Sequence, residues 1–71
     1  METITFELEG DYIELTQLLK AIGVAQTGGH AKMIVGDGVI QRNGEIELRK
    51  RAKIRVDEEV VIDNQIRVKI V

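Results

Sequence analysis

Apolar and polar positions change their period along the chain, and each period predicts an element. Ile4, Phe6 and Leu8 alternate with Thr3, Thr5, Glu7 and Glu9, the period of two of a strand with one buried face, and Gly10 ends the run. Asp11 followed three residues later by Glu14 resembles a capping box, after which Leu15, Leu18, Leu19 and Ile22 recur at helical spacing. Thr16, Gln17 and Lys20 fall opposite, so an amphipathic helix is expected, closed by Gly23 as a left-handed cap. Beyond a short linker, Thr27 is placed to cap a second helix from Gly28 to about residue 37. Ala31, Ile34 and Val35 make its apolar stripe, while Gly29, Lys32, Met33 and Gly36 take the opposite face.

Gly38 ends that helix, residues 39–42 read as a strand, and Asn43-Gly44 is a strong hairpin signal because both residues tolerate positive φ. The returning strand should start at Glu45. From Ile46 onward the even positions 46, 48, 52, 54 and 56 are apolar and the odd positions 49, 51, 53 and 55 are basic. An unbroken pleat would line four cations on one face. Lys50 interrupts the apolar set, which predicts a bulge or helical turn at residues 48–51. Residues 60–62 and 66–71 flank Asp63-Asn64 and predict a closing hairpin.

Composition narrows the picture. A chain of 71 residues, 44% of them hydrophobic, is expected to form one domain over residues 1–71, a size at which about 60% of the unfolded surface is buried. The lack of cysteine excludes disulfides, thiolate metal sites and thiol catalysis. No amino-terminal apolar run resembles a signal peptide, and no stretch approaches the roughly 18 apolar residues of a membrane span, so a cytoplasmic location without a membrane partner is expected. The net charge of -2 conceals segregation. Residues 1–29 carry -4, residues 30–55 carry +4 and residues 56–71 carry -2. The local field is the informative quantity.

Three features could carry chemistry. Gly28-Gly29 at a helix start, with His30 and Lys32 after them, offers free amides and the positive end of a helix dipole to an anion; alternatively the glycines bridge a tight loop into the helix. Neither a nucleotide-binding P-loop nor a dinucleotide fingerprint is present. His30 suits a phosphate or ribose hydroxyl, or else a local backbone partner. As the only histidine, in a chain without cysteine, it does not imply a metal. The run Arg49-Lys50-Arg51-Ala52-Lys53-Ile54-Arg55 is either solvated surface or a set of fixed cations matched to phosphates. Phe6 and Tyr12 are the only aromatic residues and neither lies in the basic stretch, so base stacking lacks its platform and a folded RNA read through its backbone is favoured. With no serine or cysteine and no pairing of carboxylates evident, neither an enzyme nor a cofactor is expected.

In order and spacing these motifs resemble the RNA-binding domain named after ribosomal protein S-four, the αL motif. The resemblance covers residues 15 to about 61. It rests on the helix ending in Gly23, on Thr27-Gly28-Gly29-His30-Ala31-Lys32, on Gly38-Val39-Ile40-Gln41-Arg42-Asn43-Gly44, and on Glu47-Leu48-Arg49-Lys50-Arg51-Ala52-Lys53-Ile54. Small stand-alone bacterial members are the most similar in pattern. The resemblance implies an α+β fold, a two-helix αL motif packed on a small, mostly antiparallel β-sheet. It implies an RNA-facing surface comprising Gly28, Gly29, His30 and Lys32 from the helix, Arg42, Asn43 and Gly44 from the turn, and Arg49, Lys50, Arg51 and Lys53 beyond it. Arg42 departs from the family's usual apolar residue, so either that strand is less buried or the arginine adds a contact. The Arg-Leu-Asp opening often found on the first helix is missing.

The resulting expectation is a monomeric, non-catalytic protein that binds structured RNA, ribosomal or transfer, and associates with the ribosome. The alternative is a protein-interaction module that docks an acidic partner or pairs through a sheet edge.

Overall fold

The computed structural model describes residues 1–71. In chain order the elements are β1 (Glu2–Phe6), β2 (Ile13–Glu14), α1 (Leu15–Ala21), α2 (Gly28–Gly36), β3 (Ile40–Arg42), β4 (Glu45–Ile46), β5 (Lys53–Ile54), β6 (Glu59–Ile62) and β7 (Ile66–Ile70). The fold is α+β, with two helices and a sheet in the order β1-β7-β6-β3-β4. Its pairings are antiparallel except β1 with β7, which is parallel. β2 and β5 form a separate two-stranded ribbon.

The expected alternation of the first strand is present: Ile4, Phe6 and Leu8 are half-buried and the residues between them exposed. Leu15, Leu18 and Leu19 of α1 are fully buried in one cluster with Ala31 and Val35 of α2, Ile40 of β3, Ile54 of β5, Val60 of β6 and Val68 of β7. Each such leucine contributes about 1.5–3 kcal/mol through its burial. The two helices therefore pack on the sheet through the stripes their periodicity marks.

α1 ends in a Schellman arrangement: the N–H of Gly23, at φ +82°, donates to Lys20 (3.1 Å) and that of Val24 to Leu19 (3.0 Å). Its start differs from expectation. Glu14 is the N-cap residue but its side chain makes no capping bond. The N–H groups of Leu15 and Thr16 donate instead to the carbonyls of Ala52 (2.9 Å) and Lys50 (3.2 Å). Backbone from the basic segment thus replaces the expected capping box, and Thr16, expected on the polar face, is buried beneath it.

The hairpin at Asn43 (φ +51°) and Gly44 (φ +87°) joins β3 to β4 as its residue types require. The break expected at residues 48–51 is a turn at Lys50 and Arg51. The alternation after Ile46 does not translate into burial: Ala52 and Ile54 are buried, whereas Ile46, Leu48 and Val56 are exposed. Ala52 and Ile54 join the core cluster, whereas β4 is an edge strand with exposed residues. No helix is long and apolar enough to cross a membrane.

Candidate nucleic-acid interface

The basic segment is held in place from both ends. Its carbonyls at Lys50 and Ala52 cap α1, and β5 pairs with β2 through Ile13↔Ile54 and Glu14↔Lys53. Because side chains alternate, burial of Ile54 turns Lys53 and Arg55 outward. The result is an open groove of about 460 Å³ lined by Arg42, Arg49, Arg51, Ala52, Lys53 and Arg55.

These five cations are not equivalent. Arg42 is bidentate to Glu58, with Nε–Oε2 and Nη2–Oε1 both 2.8 Å. It also reaches Glu47 Oε1 at 3.3 Å and the Lys53 carbonyl at 2.7 Å. Its side chain is only 20% exposed, so it belongs to the floor of the groove. The bond to the Lys53 carbonyl ties β3 to β5 although the two strands belong to different sheets. Glu58 further accepts the Arg55 N–H (2.7 Å) and Asn43 Nδ2 (3.0 Å), while Asn43 Oδ1 accepts the Glu59 N–H (3.0 Å). The hydrogen bond from Arg42, ahead of the Arg55 backbone N–H, holds the Glu58 carboxyl below the usual carboxylate range, although burial opposes this.

Glu47 occupies the same position with respect to Arg49. Arg49 donates from Nε to Oε2 and from Nη2 to Oε1, both 3.1 Å, and its backbone N–H also reaches Oε2 at 3.1 Å. These bonds and the weaker one from Arg42 lower the Glu47 carboxyl to about 2 against the cost of its burial. Arg42 is therefore largely neutralised in the floor of the groove, and Arg49 is held bidentately by Glu47 although its side chain is 74% exposed.

The remaining three cations keep their charge available. Arg51 spends only Nε, on Glu14 Oε2 at 3.1 Å, and its side chain is 80% exposed. Lys53 and Arg55 have no carboxylate partner within ion-pair distance; Arg55 Nη1 donates at 3.4 Å to the Asp11 carbonyl. Both approach the Tyr12 ring, with Lys53 Nζ 5.0 Å and Arg55 Cζ 5.6 Å from its centroid. Tyr12, placed by sequence outside the basic stretch, thus lies against it.

The helix start makes a second, separate feature. Thr27 Oγ1 caps α2 by accepting the His30 N–H at 3.0 Å, as its position predicts. His30 Nδ1 accepts the Gln26 N–H at 3.2 Å, so the proton of the neutral ring sits on Nε2. A Cβ added at Gly28 would meet nothing, and one at Gly29 would meet only Thr27 Oγ1 at 3.9 Å. Neither crowding nor positive φ requires glycine there. What the glycines leave is an uncovered helix start. Lys32 is exposed and without an ion pair.

Of the residues expected on one surface, the groove unites Arg42, Arg49, Arg51 and Lys53. Gly28, Gly29, His30, Lys32, Gly44 and Lys50 do not line it, and Asn43 lines an adjoining recess with Glu45, Ile46 and Glu47. Arg55 joins the groove; it continues the odd-numbered basic phase, so the signal for it was in the sequence. Tyr12 had no such signal, because only the β2–β5 pairing carries it there.

Comparison with known proteins agrees with this architecture. The S4 domain model matches residues 6–71. The chain belongs to the S4-domain family. This S4-domain chain is 39% identical over 51 residues to the YbcJ proteins of Escherichia coli and Shigella flexneri, covering 70% of its own length and 73% of theirs. The solution structure of Escherichia coli YbcJ, described as revealing an αL motif involved in RNA-binding, is similar with a TM-score of 0.65 at 30% identity. That alignment covers 97% of this chain and 87% of YbcJ.

Proposed function

We propose that this S4-domain protein binds structured RNA, ribosomal or transfer, through the phosphate backbone and the shape of the fold, without catalysing a reaction. It acts as a monomer in the cytoplasm. The observation that carries this reading is the groove in which Arg51, Lys53 and Arg55 hold available charge on a fixed backbone, while Arg42 and Arg49 are tied to Glu58 and Glu47. Fixed cations match a phosphate lattice and release counterions from it. In this reading Arg42, Asn43 and Arg49 position the groove, and Arg51, Lys53 and Arg55 touch phosphate. Gly28, Gly29, His30 and Lys32 form a second contact at the helix start, and Gly44 and Lys50 flank the path between. The description of YbcJ as carrying an RNA-binding αL motif supports the assignment.

Fluorescence anisotropy with a ribosomal-RNA hairpin across a salt series tests it. Arg51→Ala, Lys53→Ala and Lys32→Ala should each weaken binding by about 1 kcal/mol, roughly fivefold, and reduce the salt slope by about one. A flat salt response, or no loss in any of the three variants, would refute the proposal.

A further inference from the structure

Resting on the RNA-binding reading, we propose that Tyr12 is a stacking platform for one unpaired nucleobase, so that the protein selects a structured RNA interrupted by a bulged nucleotide over a fully paired one. Extending the Ile13↔Ile54 and Glu14↔Lys53 register by one residue sets Tyr12 opposite Arg55. Alternation then places Tyr12, Glu14, Lys53 and Arg55 on the outer face of the β2–β5 ribbon, with Ile13 and Ile54 beneath. Tyr12 is 42% exposed; Lys53 Nζ and Arg55 Cζ, both from the β5 side, sit over the ring 5.0 and 5.6 Å from its centroid, so a base takes the face turned away from them.

The surroundings of the ring are asymmetric. Lys53 and Arg55, its two cationic neighbours, line the basic groove. Tyr12 itself lines a different recess of about 240 Å³ with Phe6, Leu8 and Ile13, to which Glu7 and Glu9 also contribute. Phosphates are drawn to the first region and repelled by the carboxylates of the second. An uncharged base suits the ring and the apolar recess. A nucleotide with its phosphate on Lys53 or Arg55 and its base on Tyr12 satisfies both sides. A paired base inside a duplex cannot present its face this way, whereas a bulged one can.

The test uses two hairpins with the same stem, one fully paired and one with a single bulged 2-aminopurine. Wild-type protein and Tyr12→Phe should bind the bulged hairpin roughly tenfold more tightly than the paired one and quench the 2-aminopurine emission, since every base offers a π-face to an aromatic ring. Tyr12→Leu should lose the preference and the quenching but keep the affinity for the paired hairpin and its salt slope. Tyr12→Leu that retains the preference, or that weakens both hairpins equally, would overturn the stacking role and leave the groove's RNA binding standing. Wild-type protein that binds neither hairpin would overturn the underlying RNA-binding reading, and the stacking role with it.

Discussion

Replacing Arg42 with methionine keeps a long side chain but removes four hydrogen bonds: two to Glu58 at 2.8 Å, one to Glu47 at 3.3 Å and one to the Lys53 carbonyl at 2.7 Å. The side chains of Arg42, Glu58 and Glu47 are 20%, 17% and 11% exposed, so solvent repays little of the loss. Breaking a buried pair by removing one partner costs about 3–5 kcal/mol. Glu58 retains the Arg55 N–H and Asn43 Nδ2, and Glu47 retains Arg49, which puts the expected loss near the low end, about 3 kcal/mol. For a domain of this size that is a fall in Tm of about 15 °C. Arg42→Lys should lie between the two, since an ammonium cannot match a carboxylate bidentately. Urea denaturation followed by circular dichroism gives the magnitude, and a double-mutant cycle with Glu58→Gln should return a coupling of about 2 kcal/mol. A loss below about 0.5 kcal/mol would show that the cluster behaves as solvated surface pairs and that Arg42 does not organise the groove.

Two further outcomes follow from the same geometry. Glu47 at about 2 and the lowered Glu58 bind fewer protons when folded than when unfolded, so their stabilisation is complete above the unfolded carboxylate value and is lost as pH falls. Glu47 accounts for up to about 3 kcal/mol of this, lost between about pH 5 and 2; urea titrations at several pH values measure it, and Arg42→Met should flatten the curve only in part because Arg49 still holds Glu47. Gly29→Ala should raise stability by about 0.5 kcal/mol, since nothing obstructs the added Cβ, yet weaken RNA binding severalfold if phosphate approaches that backbone; a gain in Tm with unchanged affinity would remove the helix start from the interface.

The helices, their carboxyl-terminal glycines, the Thr27 cap and both hairpins were legible in sequence because each depends on residues within one or two turns of one another. The same holds for the basic segment, while the α+β class followed from the family resemblance. Where reading by local pattern failed, a distant group had taken the local role. Glu14 looked like half of a capping box, but the Ala52 and Lys50 carbonyls cap α1 and Glu14 pairs with Arg51. Ile46, Leu48 and Val56 kept the apolar phase of a strand, but no layer covers them. Nothing in the local pattern marks Glu58 for a partner, yet it accepts Arg42, Asn43 and the Arg55 N–H.

By itself the sequence determined the two helices, the longer strands, the turns and where positive charge accumulates, since helical and strand periods and turn chemistry are short-range. Tertiary structure alone decided which of those charges are available. Arg42 is as cationic in sequence as Lys53 and Arg55, but a carboxylate 16 residues away engages it through two bonds of 2.8 Å. Pairing of β2 with β5 brings Tyr12 from the acidic amino-terminal segment onto the basic surface. Hydrogen bonding and ion pairing are set by distance in space, which separation along a chain does not encode.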